Sequence, residues 1–140
     1  IIIFSAPPAI FLLIIEEAIK GGTSIVQLRE KTASTKDFYK LALKVKEITS
    51  KYDVPLLIND RIDICMAVNA DGVHLGQEDM PVAEARKLLG EEKILGVSAH
   101  NVEEALKAWL QQVFIWPADA IRCLVALMKC PMHPAFQKSR

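Results

Sequence analysis

Apolar residues along this chain follow two spacings in turn. Short, mostly apolar and β-rich runs from Ser24 to Leu28, Leu56 to Ile58, Val73 to Leu75 and Lys93 to Val97 are too short for helices. Each ends in a burst of polar residues, the mark of a buried parallel strand that stops in a loop. Between them the spacing becomes helical. Leu41, Val45 and Ile48 form one stripe on a helix that Ser34 or Thr35 caps and that runs to about Lys51. Pro7-Pro8 opens a helix over Ala9 to Lys20, which Gly21-Gly22 stops. Ile62 to Ala70 has the length of a short crossover helix. Pro81 opens Val82 to Leu89, ended by Gly90, and Asn101 caps Val102 to about Ala108.

Strands alternating with helices imply an α/β fold with a parallel sheet and helices outside it. A doubly wound sheet and a (β/α) barrel both fit this order. Successive strand ends that each carry a polar cluster favour the barrel, whose sites lie at that end of several strands. The pattern breaks from Trp109 onward, where Ala118 to Lys129 predicts one more apolar helix but no further strand end carries a polar cluster. A complete TIM (β/α) barrel takes about 200 residues or more. The expectation is therefore a partial TIM barrel, roughly its first half, over residues 1–108, and an atypical tail, helical or disordered, over 109–140. Ile1 to Ile15 is nearly all apolar, but Pro7-Pro8 splits it. It lacks the basic start and cleavage site of a signal peptide and is too short to span a membrane. It reads as a strand remnant or as the entry into the first helix.

The chain has 140 residues, 51% of them hydrophobic, enough for one real core. Lys+Arg and Asp+Glu both number 17, so the formal net charge is zero. That balance argues against a nucleic-acid surface and requires any anion site to be local. Cys65, Cys123 and Cys130 have no disulfide-framework spacing and read as free thiols of a cytoplasmic protein. Cys130 and His133 supply two ligands where a closed zinc site needs four.

The chemistry sits at the strand ends. Arg29 and Lys31 follow one strand at i and i+2 and, in extended geometry, point to the same side, where they would grip a pyrophosphate. The plainer reading is a solvated basic loop. Asn59 and Asp60 follow the next strand, and Asp79 the one after; in a βαβ unit both land on one edge. Two carboxylates with an amide and no thiolate suit Mg2+, especially one shared with substrate phosphates. The plainer reading is turn chemistry, with Asp79 capping the next helix. His74 lies inside a strand and reads first as a packed, hydrogen-bonded histidine. Gln27 and Ser98 could bond a heterocycle or satisfy backbone groups.

Four stretches taken together resemble the thiamine phosphate synthase family: Gln27-Leu28-Arg29-Glu30-Lys31, Ile58-Asn59-Asp60-Arg61, Ala70 to Asp79, and Gly96-Val97-Ser98-Ala99-His100. The likeness runs from about Glu16 to Ala108. It implies a TIM barrel and a transferase that joins an aminopyrimidine methyl pyrophosphate to a thiazole phosphate, giving thiamine phosphate and pyrophosphate. By the same resemblance Arg29, Lys31 and Asn59 hold the pyrophosphate, Asp60 and Asp79 bind Mg2+, and Gln27, His74 and Ser98 surround the pyrimidine. The implied partners are small molecules, not nucleic acid or membrane.

This chain departs from the family pattern at both ends. The family's first strand with its Thr-Asp ending is not recognisable in Ile1 to Ile15. The fifth-strand loop and the glycine-rich loops that hold the thiazole phosphate do not follow Ala108. A change of reading frame near Ala108 is one account, because Trp109 to Val113 back-reads one base out of frame as Met-Ala-Ala-Ala-Gly. Two other readings stand beside the transferase. One is a non-catalytic half-barrel that self-associates, as a homo-oligomer, or binds a partner through exposed sheet edges. The other is a thiazole tautomerase, which would need neither Mg2+ nor pyrophosphate.

Overall fold

The computed structural model describes residues 2–3, 8–110 and 113–117. Strand and helix alternate throughout: β1 Ile2–Ile3, α1 Pro8–Lys20, β2 Val26–Arg29, α2 Thr35–Lys51, β3 Leu56–Asn59, α3 Ile62–Ala67, β4 Gly72–Leu75, α4 Val82–Leu89, β5 Ile94–Ala99, α5 Val102–Leu110 and β6 Phe114–Pro117. The six strands form one sheet in the order β1-β2-β3-β4-β5-β6. Every neighbouring pair is parallel. A doubly wound sheet reverses its strand order at a switch point. This order never reverses among the described strands, so the architecture is that of a partial barrel.

Several boundaries differ from the expectation. The crossover helix α3 stops at Ala67 rather than Ala70, because Asn69 takes a left-handed backbone, φ 49°, and turns the chain into β4. β5 runs on to Ala99, which places Ser98 inside the strand instead of past its end. Regular structure continues beyond Ala108: α5 reaches Leu110 and β6 pairs with β5 from Gly96↔Phe114 to Ala99↔Pro117. The helix expected over Ala118 to Lys129 and the residues Cys123, Cys130 and His133 lie outside the described residues. β1 pairs with β2, in line with a strand at the start of the chain. Ser34 caps α2, its hydroxyl accepting from the Asp37 amide at 3.2 Å, and Asn101 likewise accepts from the Glu104 amide at 2.9 Å.

Successive residues of a strand point to opposite faces, and the burial follows that rule. One row holds Val26, Leu28, Leu56, Ile58, Val73, Leu75, Leu95 and Val97, which join the main hydrophobic core. The helices cover that row through Phe11 and Ile15 of α1, Phe38 and Val45 of α2, and Ala85 and Leu89 of α4. The alternate row is also buried but lies outside that core: Gln27, Leu57, Asn59, His74 and Ser98. The register aligns its members across the sheet, Gln27↔Leu57, Asn59↔His74 and His74↔Gly96.

The N-terminal edge of the sheet is pinned by Asp71. Its backbone amide donates to Leu56 O and its carbonyl accepts from the Ile94 amide. Its Oδ2 accepts from the Leu56 amide at 2.8 Å and from Lys46 Nζ at 2.7 Å. Three strands and α2 are thus tied at one residue. The neighbouring Gly72 packs so tightly that a Cβ there would lie 2.0 Å from Ile94 O.

Candidate active site at the C-terminal edge of the sheet

β2, β3, β4 and β5 run parallel, so the residues that end them collect on one edge. Arg29 is the last residue of β2 and Asn59 the last of β3. Asp60 follows at once with a left-handed backbone, φ 64°. Its amide donates to His74 O at 2.8 Å, which locks the β3–α3 loop against β4. A short polar side chain tolerates this conformation where a branched one would not, and non-glycine residues held there cluster at functional sites.

Asp79 does not cap α4. Pro81 occupies the cap position and no side chain caps it. Asp79 instead folds back, its Oδ2 accepting from the Gly76 amide at 2.6 Å while its own amide donates to Gly76 O at 3.3 Å. This closed loop holds the Asp79 carboxyl where it acts on that of Asp60. Burial is the main cause that holds the Asp60 carboxyl above the usual range; the hydrogen bond and like charge of Asp79 add to it, and Arg29 and Lys31 oppose it. Asp79, Arg29 and Lys31, the other charged residues named from the sequence, therefore all act on Asp60. Glu30 is turned away from it, its carboxylate accepting from the Thr32 and Ala33 amides at 2.6 and 3.1 Å.

A second, uncharged group lies on the same sheet face. Gln27 Nε2 donates to Asn59 Oδ1 at 2.6 Å, linking β2 to β3. Gln27 Oε1 is buried and has no hydrogen-bond partner among the described residues. His74 Nε2 and Ser98 Oγ lie 2.8 Å apart, linking β4 to β5. Burial pushes His74 down to about 4, so its ring is neutral near pH 7 and serves as a hydrogen-bonding group rather than a cation. That is the packed role expected of a histidine inside a strand.

Two residues of this edge were given no role by sequence reasoning, although Gln77 stands in the polar burst after its strand. Gly76 supplies the amide that orients Asp79, and a Cβ there would come within 3.1 Å of Asp79 Oδ2. Gln77 reaches across from the β4–α4 loop, its Nε2 donating to the Ser98 carbonyl. The only signal for either was position: both fall directly after a strand whose end carries the acid.

Asp60 and Asp79 are the residues that could hold a cation. No group of three or more His, Cys, Asp or Glu converges among the described residues. Mg2+ does not require one, since waters and substrate phosphates complete its octahedron. Asp79 raises the Asp60 carboxyl by like charge, a repulsion that a hard divalent ion would relieve, so the donor set fits.

Comparison with known proteins identifies the family. The family model for thiamine monophosphate synthase matches residues 3–115. The chain belongs to that family. It is 70% identical over 98 residues to thiamine-phosphate synthase of Methanobrevibacter smithii, covering 70% of this chain and 47% of the relative. It is 68% identical over 94 residues to the synthase of Clostridium acetobutylicum, covering 67% and 44%. Among solved structures it resembles thiamine phosphate pyrophosphorylase from Pyrococcus furiosus, at 35% identity and a TM-score of 0.70, over 78% of this chain and 56% of that one. The chain thus spans about half the length of the curated relatives it matches. No helix among the described residues is long and apolar enough to cross a membrane.

Proposed function

We propose that this chain carries the pyrophosphate-donor half of a thiamine phosphate synthase site. The reaction is transfer of an aminopyrimidine methyl group from pyrophosphate to the nitrogen of a thiazole phosphate. The observation that supports the reading best is that Asp60 and Asp79, each held by a closed loop at neighbouring strand ends, lie where Asp79 raises the Asp60 carboxyl and Arg29 and Lys31 oppose that rise. An acid pair flanked by two cations is poor turn chemistry but suits a magnesium pyrophosphate.

Each residue has a distinct task in this reading. Asp60 and Asp79 would hold Mg2+, which would supply charge neutralisation for a leaving pyrophosphate. Arg29 offers a planar fork to phosphate oxygens and Lys31 a compact charge. Asn59, its carbonyl already used by Gln27, offers N–H donors to the same anion. Gln27 and Ser98 supply amide and hydroxyl groups to the pyrimidine, beside a neutral His74. Departure of pyrophosphate leaves an electron-rich pyrimidine cation that the thiazole nitrogen attacks. The protein need move no proton in that step; it stabilises separated charge and keeps the partners aligned.

The test is calorimetric binding of aminopyrimidine methyl pyrophosphate to the purified chain with and without Mg2+, followed by assay for thiamine phosphate once the thiazole phosphate is added. Binding should require Mg2+ and weaken by at least about tenfold in Asp60→Asn, since losing even an indirect metal partner costs 10–100-fold. Asparagine keeps the left-handed backbone accessible, so this variant should remain folded. Metal-independent binding, or an unchanged affinity in Asp60→Asn, would overturn the reading.

A further inference from the structure

Ser98 is held from two sides. His74 Nε2 meets its hydroxyl at 2.8 Å, and Gln77 Nε2 donates to its backbone carbonyl. The second bond has a structural logic of its own. β4 ends at Leu75, paired with Val97 of β5, while β5 runs on through Ser98 to Ala99. Beyond Leu75 the chain turns off into the Gly76–Asp79 loop, closed by Asp79 N to Gly76 O. No β4 backbone amide remains opposite Ser98. The Gln77 side chain takes that place and adds one rung to the ladder after the strand itself has left.

We propose that Gln77 is a positioning residue for the pyrimidine, acting through Ser98. The inference rests on the donor-site reading above. The residue itself is exposed, so it does not hold a core together. Its amide couples the loop that carries Asp79 to the strand that carries Ser98. The Gln77 bond holds the Ser98 backbone from which the hydroxyl projects, and the His74 bond selects its rotamer. Asp79 has an independent tie, the Gly76 amide, and keeps its place without Gln77. The acid–cation locus and the pyrimidine contact are therefore separable, and Gln77 serves the second.

The experiment compares two probes on the intact chain in the presence of Mg2+: inorganic pyrophosphate and aminopyrimidine methyl pyrophosphate. Gln77→Met removes the donor at nearly constant shape, and Gln77→Ala removes the side chain. Both should weaken the pyrimidine compound about tenfold, as expected for one lost hydrogen bond of about 1.4 kcal/mol. Inorganic pyrophosphate should stay within about twofold. In a Ser98→Ala background the Gln77→Met change should cost almost nothing further, because residues acting through one contact are not additive. Equal loss of both probes, or full additivity with Ser98→Ala, would overturn the proposal while leaving the donor-site reading intact. A wild-type chain that binds neither probe would overturn both.

Discussion

At single residues the sheet leaves little freedom. Gly72 sits where β4 passes between β3 and β5, paired with Leu57 on one side and Ile94 on the other. Its missing Cβ is a space that Ile94 O occupies. Gly72→Ala should lower stability by about 3 kcal/mol, the upper part of the usual range for overpacking, read as a shifted midpoint in urea. A variant as stable as the parent would show that β5 can move away. The sequence announced the polar residues of the site more clearly than this one. Arg29, Lys31, Asn59, Asp60 and Asp79 were visible because charge at a strand end stands out against an apolar run. The roles of Gly76 and Gln77 were not, because they depend on a loop that folds back on itself, and a carbonyl in need of a donor leaves no mark in the sequence. Asp79 looked like a helix cap for the same reason: nothing in Asp79-Met80-Pro81 shows that its oxygen is already engaged by Gly76.

At the scale of elements, α1 and α2 are joined by more than apolar contact. Glu16 of α1 accepts from the Tyr52 hydroxyl at 2.6 Å, just past the end of α2, and from Lys51 Nζ at 2.9 Å. The Lys51 hydrogen bond is the larger cause, with Tyr52 next, that lowers Glu16 from 4.5 to about 2. A carboxyl with a lowered folded value contributes stability fully above pH 4.5 and loses it as pH falls toward 2, because the unfolded chain takes up the proton first. The melting temperature of the parent should therefore drop more steeply than that of Glu16→Gln between pH 4.5 and 2, and run parallel to it above pH 5. Identical slopes in the acid range would show that the helix pair does not depend on this charge. The helices themselves were readable from stripe spacing and caps, Ser34 and Asn101 among them. Their ends were less so: α3 stops short because Asn69 turns left-handed, and β5 extends because a neighbouring strand, β6, is there to pair with it.

Across the whole molecule the two edges of the sheet have different work. The N-terminal edge is fastened by Asp71, with Lys93 Nζ bonding Asn69 Oδ1 and Ala70 O nearby at 2.6 and 2.7 Å. The C-terminal edge gathers the acid pair, the cations and the Gln27–Asn59 and His74–Ser98 bridges. Asp71→Ala leaves the Leu56 amide without its acceptor and should cost about 2 kcal/mol of stability, within the range for an unsatisfied buried donor. Magnesium-dependent pyrophosphate binding by the folded fraction should be unchanged. A parallel fall in affinity would mean that the two edges are not independent. The parallel sheet and the barrel-like order were legible because each strand–loop–helix unit repeats the same grammar. The sixth strand, Phe114–Pro117, was not, since it lacks the polar cluster by which the others were recognised.

Core and chemistry share the same strands on alternate residues: Ile58 packs under the helices while Asn59 faces the site, and Val73 and His74 divide the work in the same way. A strand built like this can be edited at its ends but not within. Lengthening the loop after β2 or β4 would leave each row where it is. Inserting or deleting a single codon inside β3 would exchange the rows, sending an asparagine into the core and an isoleucine to the anion. Length variation that preserves the site is therefore confined to loops and to steps of two within strands, a restriction on insertions and deletions stricter than any on substitution.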